Sequence, residues 1–166
     1  MKVYISGKIG EEVISDATRQ KFSRAEEMLR AKGYEVFNPC DEKWENLLKG
    51  EYATDRLFKS RFLDGTFPDF YTYVLLRDQM VLSTKDAVYF LEDWDKSPGA
   101  CSEYSFAMAT SKKMFFQSKD DALDYLELAI SDSVLAEMMK TGKLVIPEKE
   151  QIRHIANKFS SIWLPL

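Results

Sequence analysis

The sequence is poor in the side chains that build metal sites, disulfide frameworks and histidine-activated nucleophiles. Among its 166 residues are two cysteines, Cys40 and Cys101, and one histidine, His154. The cysteines lie far apart and form no CxxC or Cys/His pattern, so both are expected to be reduced thiols, and no metal site is expected. His154 falls in a C-terminal helical segment away from every motif and is expected to be structural or exposed. No apolar run approaches the ~18 residues that a membrane span requires. Met1-Lys2 leads straight into a strand pattern and not into a signal sequence, so a soluble cytoplasmic protein is expected. A basic excess is missing as well: the formal net charge is −4 and the pI is about 5.2. That balance disfavours duplex nucleic acid as a partner and leaves room for a small ligand met by a few local donors. There is no internal repeat and no low-complexity tract.

What the chain does have is enough apolar residue, 45%, to build one core without staples. A single domain over 1–166 is expected, with a core at 1–117 and a mostly helical extension at 118–166. Lys2 to Ser6 reads as a strand, and Gly7-Lys8-Ile9-Gly10 breaks it with a glycine loop. Ser15 to Lys32 is helical, with Ala17, Phe22, Ala25, Met28 and Leu29 spaced along one face and Gly33 as its cap. Tyr34 to Phe37 is a second strand, ended by Asn38-Pro39. This β-α-β opening predicts a parallel sheet. Glu42 to Leu48 is expected to be a short helix, and Gly50 to Pro68 shows no sustained period, which leaves a lid or an oligomer contact. Asp69 to Leu82 is helical, with Tyr73, Leu76, Met80 and Val81 expected inside. Ala87 to Leu91 is a buried strand, Ser97 to Ser102 turns into a further helix, and Met114 to Phe116 is a fourth strand. Helices follow at 120–129, 133–140 and from Pro147 to about Phe159, with a possible fifth strand at 143–146. The apolar terminus from Ser160 to Leu166 is expected to dock on this subunit or a neighbour.

The residues that could carry chemistry gather where strands end, because ligands of open α/β sheets bind there. Glu103, expected in the first turn of its helix, is either a charge that opposes the macrodipole or a nucleophile kept ionised by it. Asp78 is either an exposed position on an amphipathic helix or a group that points into the cleft. If it points in, two carboxylates share one site, and environment can divide their roles. Gly7 and Lys8 could admit an anion, although the loop lacks both GxGxxG and the GK[ST] ending of a P-loop. Ser97 and the amides from Gly99 to Ser102 form either an anion nest or a plain helix cap.

The order of Val3-Tyr4-Ile5-Ser6-Gly7, Gly33-Tyr34-Glu35-Val36-Phe37-Asn38-Pro39, Asp78 ahead of Asp86-Ala87-Val88, and Ser97-Pro98-Gly99-Ala100-Cys101-Ser102-Glu103 resembles the nucleoside 2-deoxyribosyltransferase superfamily. That superfamily includes the 2'-deoxynucleoside 5'-phosphate N-hydrolases and uncharacterised phage and bacterial members. The likeness spans about Met1 to Gln117. It implies a flavodoxin-like, Rossmann-like parallel sheet of four to five strands with helices on both faces. It also implies Glu103 as nucleophile, Asp78 as acid/base and Tyr4 as the residue that orients the nucleophile. Ser6, Gly7, Lys8, Asn38, Ser97 and Gly99 would bind the substrate, a nucleoside or nucleotide, with no metal or organic cofactor. A homo-oligomer is expected, since sites in this superfamily are often completed by a neighbouring subunit.

Two departures qualify the likeness. The transferases carry a sugar-holding aspartate where this chain has Ser97, and a serine there is similar to the monophosphate hydrolases, in which it contacts phosphate. The fifty or so residues after Gln117 are not explained by it. The expected activity is cleavage or exchange of an N-glycosidic bond. The competing expectations are a non-catalytic nucleotide-binding module on the same scaffold and an NAD glycohydrolase.

Overall fold

Four short strands pair in parallel in the order β2-β1-β3-β4. They are β1 (Lys2–Ser6), β2 (Glu35–Phe37), β3 (Ala87–Phe90) and β4 (Lys113–Phe116). The structure, a computed structural model, describes residues 1–10, 13–58, 67–141 and 149–166. Helix α1 (Asp16–Ala31) joins β1 to β2, α2 (Glu42–Phe58) and α3 (Phe70–Ser83) join β2 to β3, and α4 (Pro98–Ala109) joins β3 to β4. Two further helices, α5 (Lys119–Thr141) and α6 (Lys149–Ile162), complete the chain. This is the expected flavodoxin-like, Rossmann-like α/β fold. Its winding reverses between β1 and β3, and such reversals open a crevice at the carboxyl ends of the two strands.

Strand alternation sorts the core into two layers. Val3 and Ile5 of β1, with Ala87, Tyr89 and Phe115, face α1, which buries Phe22, Ala25 and Leu29 against them. Tyr4, Val88, Phe90, Met114 and Phe116 face the other way and meet Leu82 of α3, Ala107 of α4, Ala122 and Leu126 of α5 and Ile162 of α6. The entry to α1 is set by Ser15, whose hydroxyl accepts from the Thr18 amide at 3.3 Å. Gly33 follows the helix at φ 83°, a left-handed conformation that glycine adopts without strain.

Helices differ from the sequence expectation in length and in face. Helix α2 continues to Phe58 through Gly50, although glycine inside a helix costs about 1 kcal/mol. Its packing on α3 offsets that cost: Tyr52 lies edge-on to Tyr73, and the Tyr73 hydroxyl donates to Asp55 at 2.9 Å. Helix α5 likewise runs unbroken through Ser131 and Asp132, whose side chains stay exposed. Helix α3 buries Tyr73, Asp78 and Leu82 and leaves Leu76 and Met80, expected inside, exposed. The helix is apolar nearly all round, so spacing alone does not choose a face. The fifth strand expected at 143–146 lies outside the described residues, as do residues 59–66 of the stretch expected as a lid or oligomer contact; the first part of that stretch, to Phe58, is the end of α2.

The terminal segment docks on its own subunit. Trp163 makes a parallel bridge to Phe116, the Leu164 amide donates to the Phe116 carbonyl at 2.8 Å, and the Tyr89 hydroxyl donates to the Leu164 carbonyl at 2.8 Å. These contacts cover the open edge of β4, which would otherwise present unpaired backbone. No helix among the described residues is long and apolar enough to cross a membrane.

Gly7 marks the carboxyl end of β1, where the chain passes close to β3. A Cβ built there would lie 2.7 Å from Leu91 Cδ1 and 3.0 Å from Leu91 Cβ. Gly7→Ala is therefore expected to overpack this contact and to lower stability by about 1–3 kcal/mol, measured as a reduced urea midpoint. An unchanged midpoint would show that Leu91 moves aside freely.

Candidate active site

Period-two alternation points Tyr4 and Ser6 at the layer that holds α3 and α4, and both side chains meet one carboxylate there. The Tyr4 hydroxyl donates to Glu103 Oε1 at 2.7 Å, and the Ser6 hydroxyl donates to Glu103 Oε2 at 2.5 Å. All three residues are buried. Helix α4 carries Glu103 to this point from a start fixed by Ser97, whose hydroxyl accepts from the Ala100 amide at 3.4 Å, and by Pro98 as the first helical residue.

Because α4 begins at Pro98, Glu103 stands in the second turn, not the first as expected. Beyond the first turn the amides are taken up in intrahelical bonds and the dipole's influence falls away. The anion of Glu103 therefore depends on the two hydroxyls from β1.

Asp78 turns inward on α3 and is buried. Its Oδ1 accepts from the indole Nε1 of Trp44 at 3.0 Å. The adjacent Arg77 reaches away to Glu51, with 2.6 Å between Nη2 and Oε2, and its guanidinium lies 6.0 Å from the centre of the Trp44 ring. Helices α3 and α4 are joined beside the carboxylates by Gln79, whose amide donates to the Ser102 hydroxyl at 3.3 Å.

Burial pushes both carboxyls upward. Asp78 rises to about 7, opposed by the Trp44 hydrogen bond and by Arg77. Glu103 rises to about 8, mainly from burial and further from the charge of Asp78, opposed by the Ser6 and Tyr4 hydroxyls. Tyr4 is raised well above the ordinary phenol range by burial and by both carboxylates. The two carboxyls thus feel one another and titrate as a pair. Taken one at a time the two values would charge Asp78 first. The hydrogen bonds run the other way, two hydroxyl donors to Glu103 against one indole donor to Asp78, and on these contacts we assign the pair's single charge to Glu103 and its proton to Asp78.

The remaining expected residues surround this pair in different ways. Gly7 ends β1 against Leu91. Gly99 lies under α3, where a Cβ would meet Leu75 Cδ2 at 3.1 Å, with the hydroxyls of Ser97 and Tyr71 at 3.7 and 3.8 Å. Ser97 serves as the cap of α4. Lys8 is exposed. Its amide donates to Asp93 at 3.2 Å and its carbonyl accepts from Lys21 at 2.8 Å, which ties the loop after β1 to the loop after β3. Asn38 is engaged in the turn after β2: its amide donates to Glu26 at 2.9 Å and its carbonyl oxygen accepts from the Cys40 amide at 2.9 Å. A cavity of about 510 Å³ beside α1, lined by Lys21, Arg24, Asp93 and Lys96 among others, shares no residue with the carboxylate pair. Among the described residues no group of three or more His, Cys, Asp or Glu side chains is placed to hold a metal ion.

Two residues at the site were not singled out from the sequence. Trp44 and Phe37 link the carboxylates through their rings, as described below. The available signal was position: Phe37 is the last residue of β2 and Trp44 follows it, on the same sheet edge as Gly7 and Ser97.

Fold and site together define an α/β protein with a buried pair of carboxyls at the carboxyl edge of a parallel sheet. The chain belongs to the family described as a domain of unknown function (DUF4406), whose model matches residues 1–116. The match ends with β4 and takes in every residue of the site. Among solved structures, a 2-deoxyribosyltransferase from the psychrotolerant bacterium Bacillus psychrosaccharolyticus is similar at 19% identity, over 70% of this chain and 71% of that chain, with a TM-score of 0.43. The comparison with curated proteins finds no match.

A pH-dependent stability follows from the raised carboxyls. Their folded-state values lie above the ordinary 3.8 for Asp78 and 4.5 for Glu103. Folding therefore binds protons, and this contribution is full below about pH 4 and lost as pH rises through about 7 to 8. Asp78→Asn and Glu103→Gln are expected to melt near the wild type at pH 4 and above it at pH 9, by on the order of a few kcal/mol. Thermal melts at the two pH values check this; a difference that does not change with pH would contradict the buried setting of these groups.

Proposed function

We propose that the protein cleaves or exchanges the N-glycosidic bond of a nucleoside, a 2'-deoxynucleoside or a 5'-monophosphate of either. The observation that carries this reading is the pair itself: a glutamate whose two oxygens are gripped by Tyr4 and Ser6 beside a buried aspartate of raised pKa. That division suits a nucleophile and an acid. Glu103 attacks the anomeric carbon, the bond from that carbon to the base nitrogen breaks, and its electron pair leaves with the base. Asp78 gives its proton to the departing base, and a glycosyl ester on Glu103 remains. Water or a second base then attacks the same carbon, Glu103 leaves as carboxylate, and Asp78 recovers a proton. This is retaining glycosyl chemistry, with an oxocarbenium-like transition state in each step.

Tyr4 and Ser6 orient the nucleophile and disperse its charge before attack. Gly7 and Gly99 let a ligand approach backbone, Asn38 in the turn after β2 is a proposed substrate contact, and Ser97 with Lys8 are the proposed contacts of a 5'-phosphate. The exposed Leu76 and Met80, four residues apart on one face of α3, are an apolar surface that fits the proposed homo-oligomer.

Incubation with deoxynucleosides, ribonucleosides, their 5'-monophosphates and NAD, with free base followed by chromatography, tests the proposal. Base release from nucleosides or monophosphates is expected, and Glu103→Ala should lower it by roughly three orders of magnitude or more with the fold intact. Retained turnover would remove Glu103 from its role. Ser97→Ala should raise KM for monophosphates more than for nucleosides, beyond the ~1 kcal/mol of stability that a lost cap costs. Tight binding without base release would leave a nucleotide-binding module, and release from NAD alone would leave a glycohydrolase.

A further inference from the structure

The two carboxyls are connected by an unbroken series of side-chain contacts. From Glu103 it runs to the Tyr4 hydroxyl. The Tyr4 ring stacks on Phe37, with centroids 5.5 Å apart and planes at 16°. Phe37 meets Trp44 edge-on, at 5.2 Å and 82°, and the Trp44 indole donates to Asp78 at 3.0 Å. Tyr4 and Phe37 are direct partners in the β1–β2 register, so the first ring pair is set by the sheet itself. Trp44 stands in the first turn of α2, where it brings an indole from the β2 side of the crevice to an aspartate on α3.

We propose that Phe37 and Trp44 form an aromatic bracket that positions Asp78 against Glu103, with the Trp44 N–H holding one aspartate oxygen so that the other faces the leaving base. The inference rests on the glycosyl-transfer reading above and adds a positioning residue, Trp44, to it. Stacked and edge-on rings resist displacement because each fits its neighbour in one geometry. An indole nitrogen is a donor only, so the bond runs in one direction, and it is strongest to the carboxyl oxygen that carries no proton. The Oδ1 atom is thereby reserved for Trp44, and the transferable proton belongs on Oδ2. In retaining chemistry the separation of the two carboxyls decides whether one can attack while the other protonates.

Other groups also act on Asp78. The titratable and charged groups around the bracket are Glu103 on α4, Tyr4 on β1, Cys40 after β2, and Glu51 on α2. Arg77 stands beside Asp78, and Lys85 lies with its ammonium 5.2 Å from the Phe37 ring. Trp44→Phe removes no charge and keeps an aromatic ring against Phe37; it removes the donor and also trims the ring face that Arg77 lies over, so the indole measurement below separates the two effects.

In the full chain, Trp44→Phe is expected to lower kcat about tenfold or more with KM little changed, since a misplaced acid weakens the transition state and not the ground state. The alkaline limb of kcat should move up by about one pH unit, because the lost donor favoured the aspartate anion. A second measurement needs no turnover. Three tryptophans are present, and the nitrogen-15 indole resonance that disappears in Trp44→Phe should shift with pH in the wild type and stop shifting in Asp78→Asn. A Trp44→Phe enzyme with an unmoved alkaline limb overturns the proposal, and so does a Trp44 indole whose titration survives Asp78→Asn. Should the wild type release no base, the glycosyl-transfer reading has failed on its own. The indole titration then still decides whether Trp44 holds Asp78.

Discussion

The site depends on one condition, that the Glu103 carboxylate be kept buried and still usable as an anion. Among the described residues, the partners of its oxygens are the hydroxyls of Tyr4 and Ser6. A buried charge met by neutral donors stays reactive in a way that a salt-bridged charge does not, because no cation has to be displaced before it attacks. Both donors come from one strand, two residues apart. The β1 pleat therefore fixes their spacing, and the β1–β3 and β1–β2 ladders fix the pleat.

Much of the surrounding structure serves that condition. Gly7 lets β1 end close against Leu91, and Ser97 and Pro98 start α4 at the point from which its second turn faces Ser6. Gly99 allows α3 to press on α4, and Gln79 bridges the two helices next to Glu103. The loops on either side of the β1–β3 crevice are tied by Lys21, which donates to the Lys8 carbonyl and pairs with Asp93 at 2.6 Å. These are positional constraints on backbone, and they place few demands on side chains elsewhere.

The parts legible in the sequence were those with a strict local period. The β-α-β opening, the strand at Ala87 and the cap at Ser97 each follow from alternation, helical spacing or turn chemistry, and they place Tyr4, Ser6 and Glu103 on one sheet edge. The burial of Asp78 was left open because α3 is apolar on several sides, so no moment distinguishes the face with Asp78 and Leu82 from the one with Leu76 and Met80. Trp44 was passed over although its helix was expected, because its partner Asp78 lies 34 residues away and no local period links the two. Gly50 hid only the later part of α2, whose persistence comes from tertiary contacts with Tyr73 and Arg77. The support of Glu103 was misassigned to the helix dipole, since only the exact start of α4 separates a first-turn residue from a second-turn one.

The two carboxyls are held by different kinds of structure, and this bears on what each can do. Glu103 is fixed through β1, an inner strand that pairs in parallel with β2 over Lys2 to Tyr4 and with β3 over Val3 to Ser6. Asp78 is fixed through α3 and α2, outer helices joined by Tyr52 on Tyr73, by Tyr73 to Asp55 and by Arg77 to Glu51. Elements on the outside of a domain open at lower free energy than central strands. A ligand that loosens or tightens the α2–α3 pair would therefore change the acid far more than the nucleophile. The aromatic contact from Tyr4 through Phe37 to Trp44 opposes that asymmetry, because it refers the position of Asp78 back to the same strand that holds Glu103.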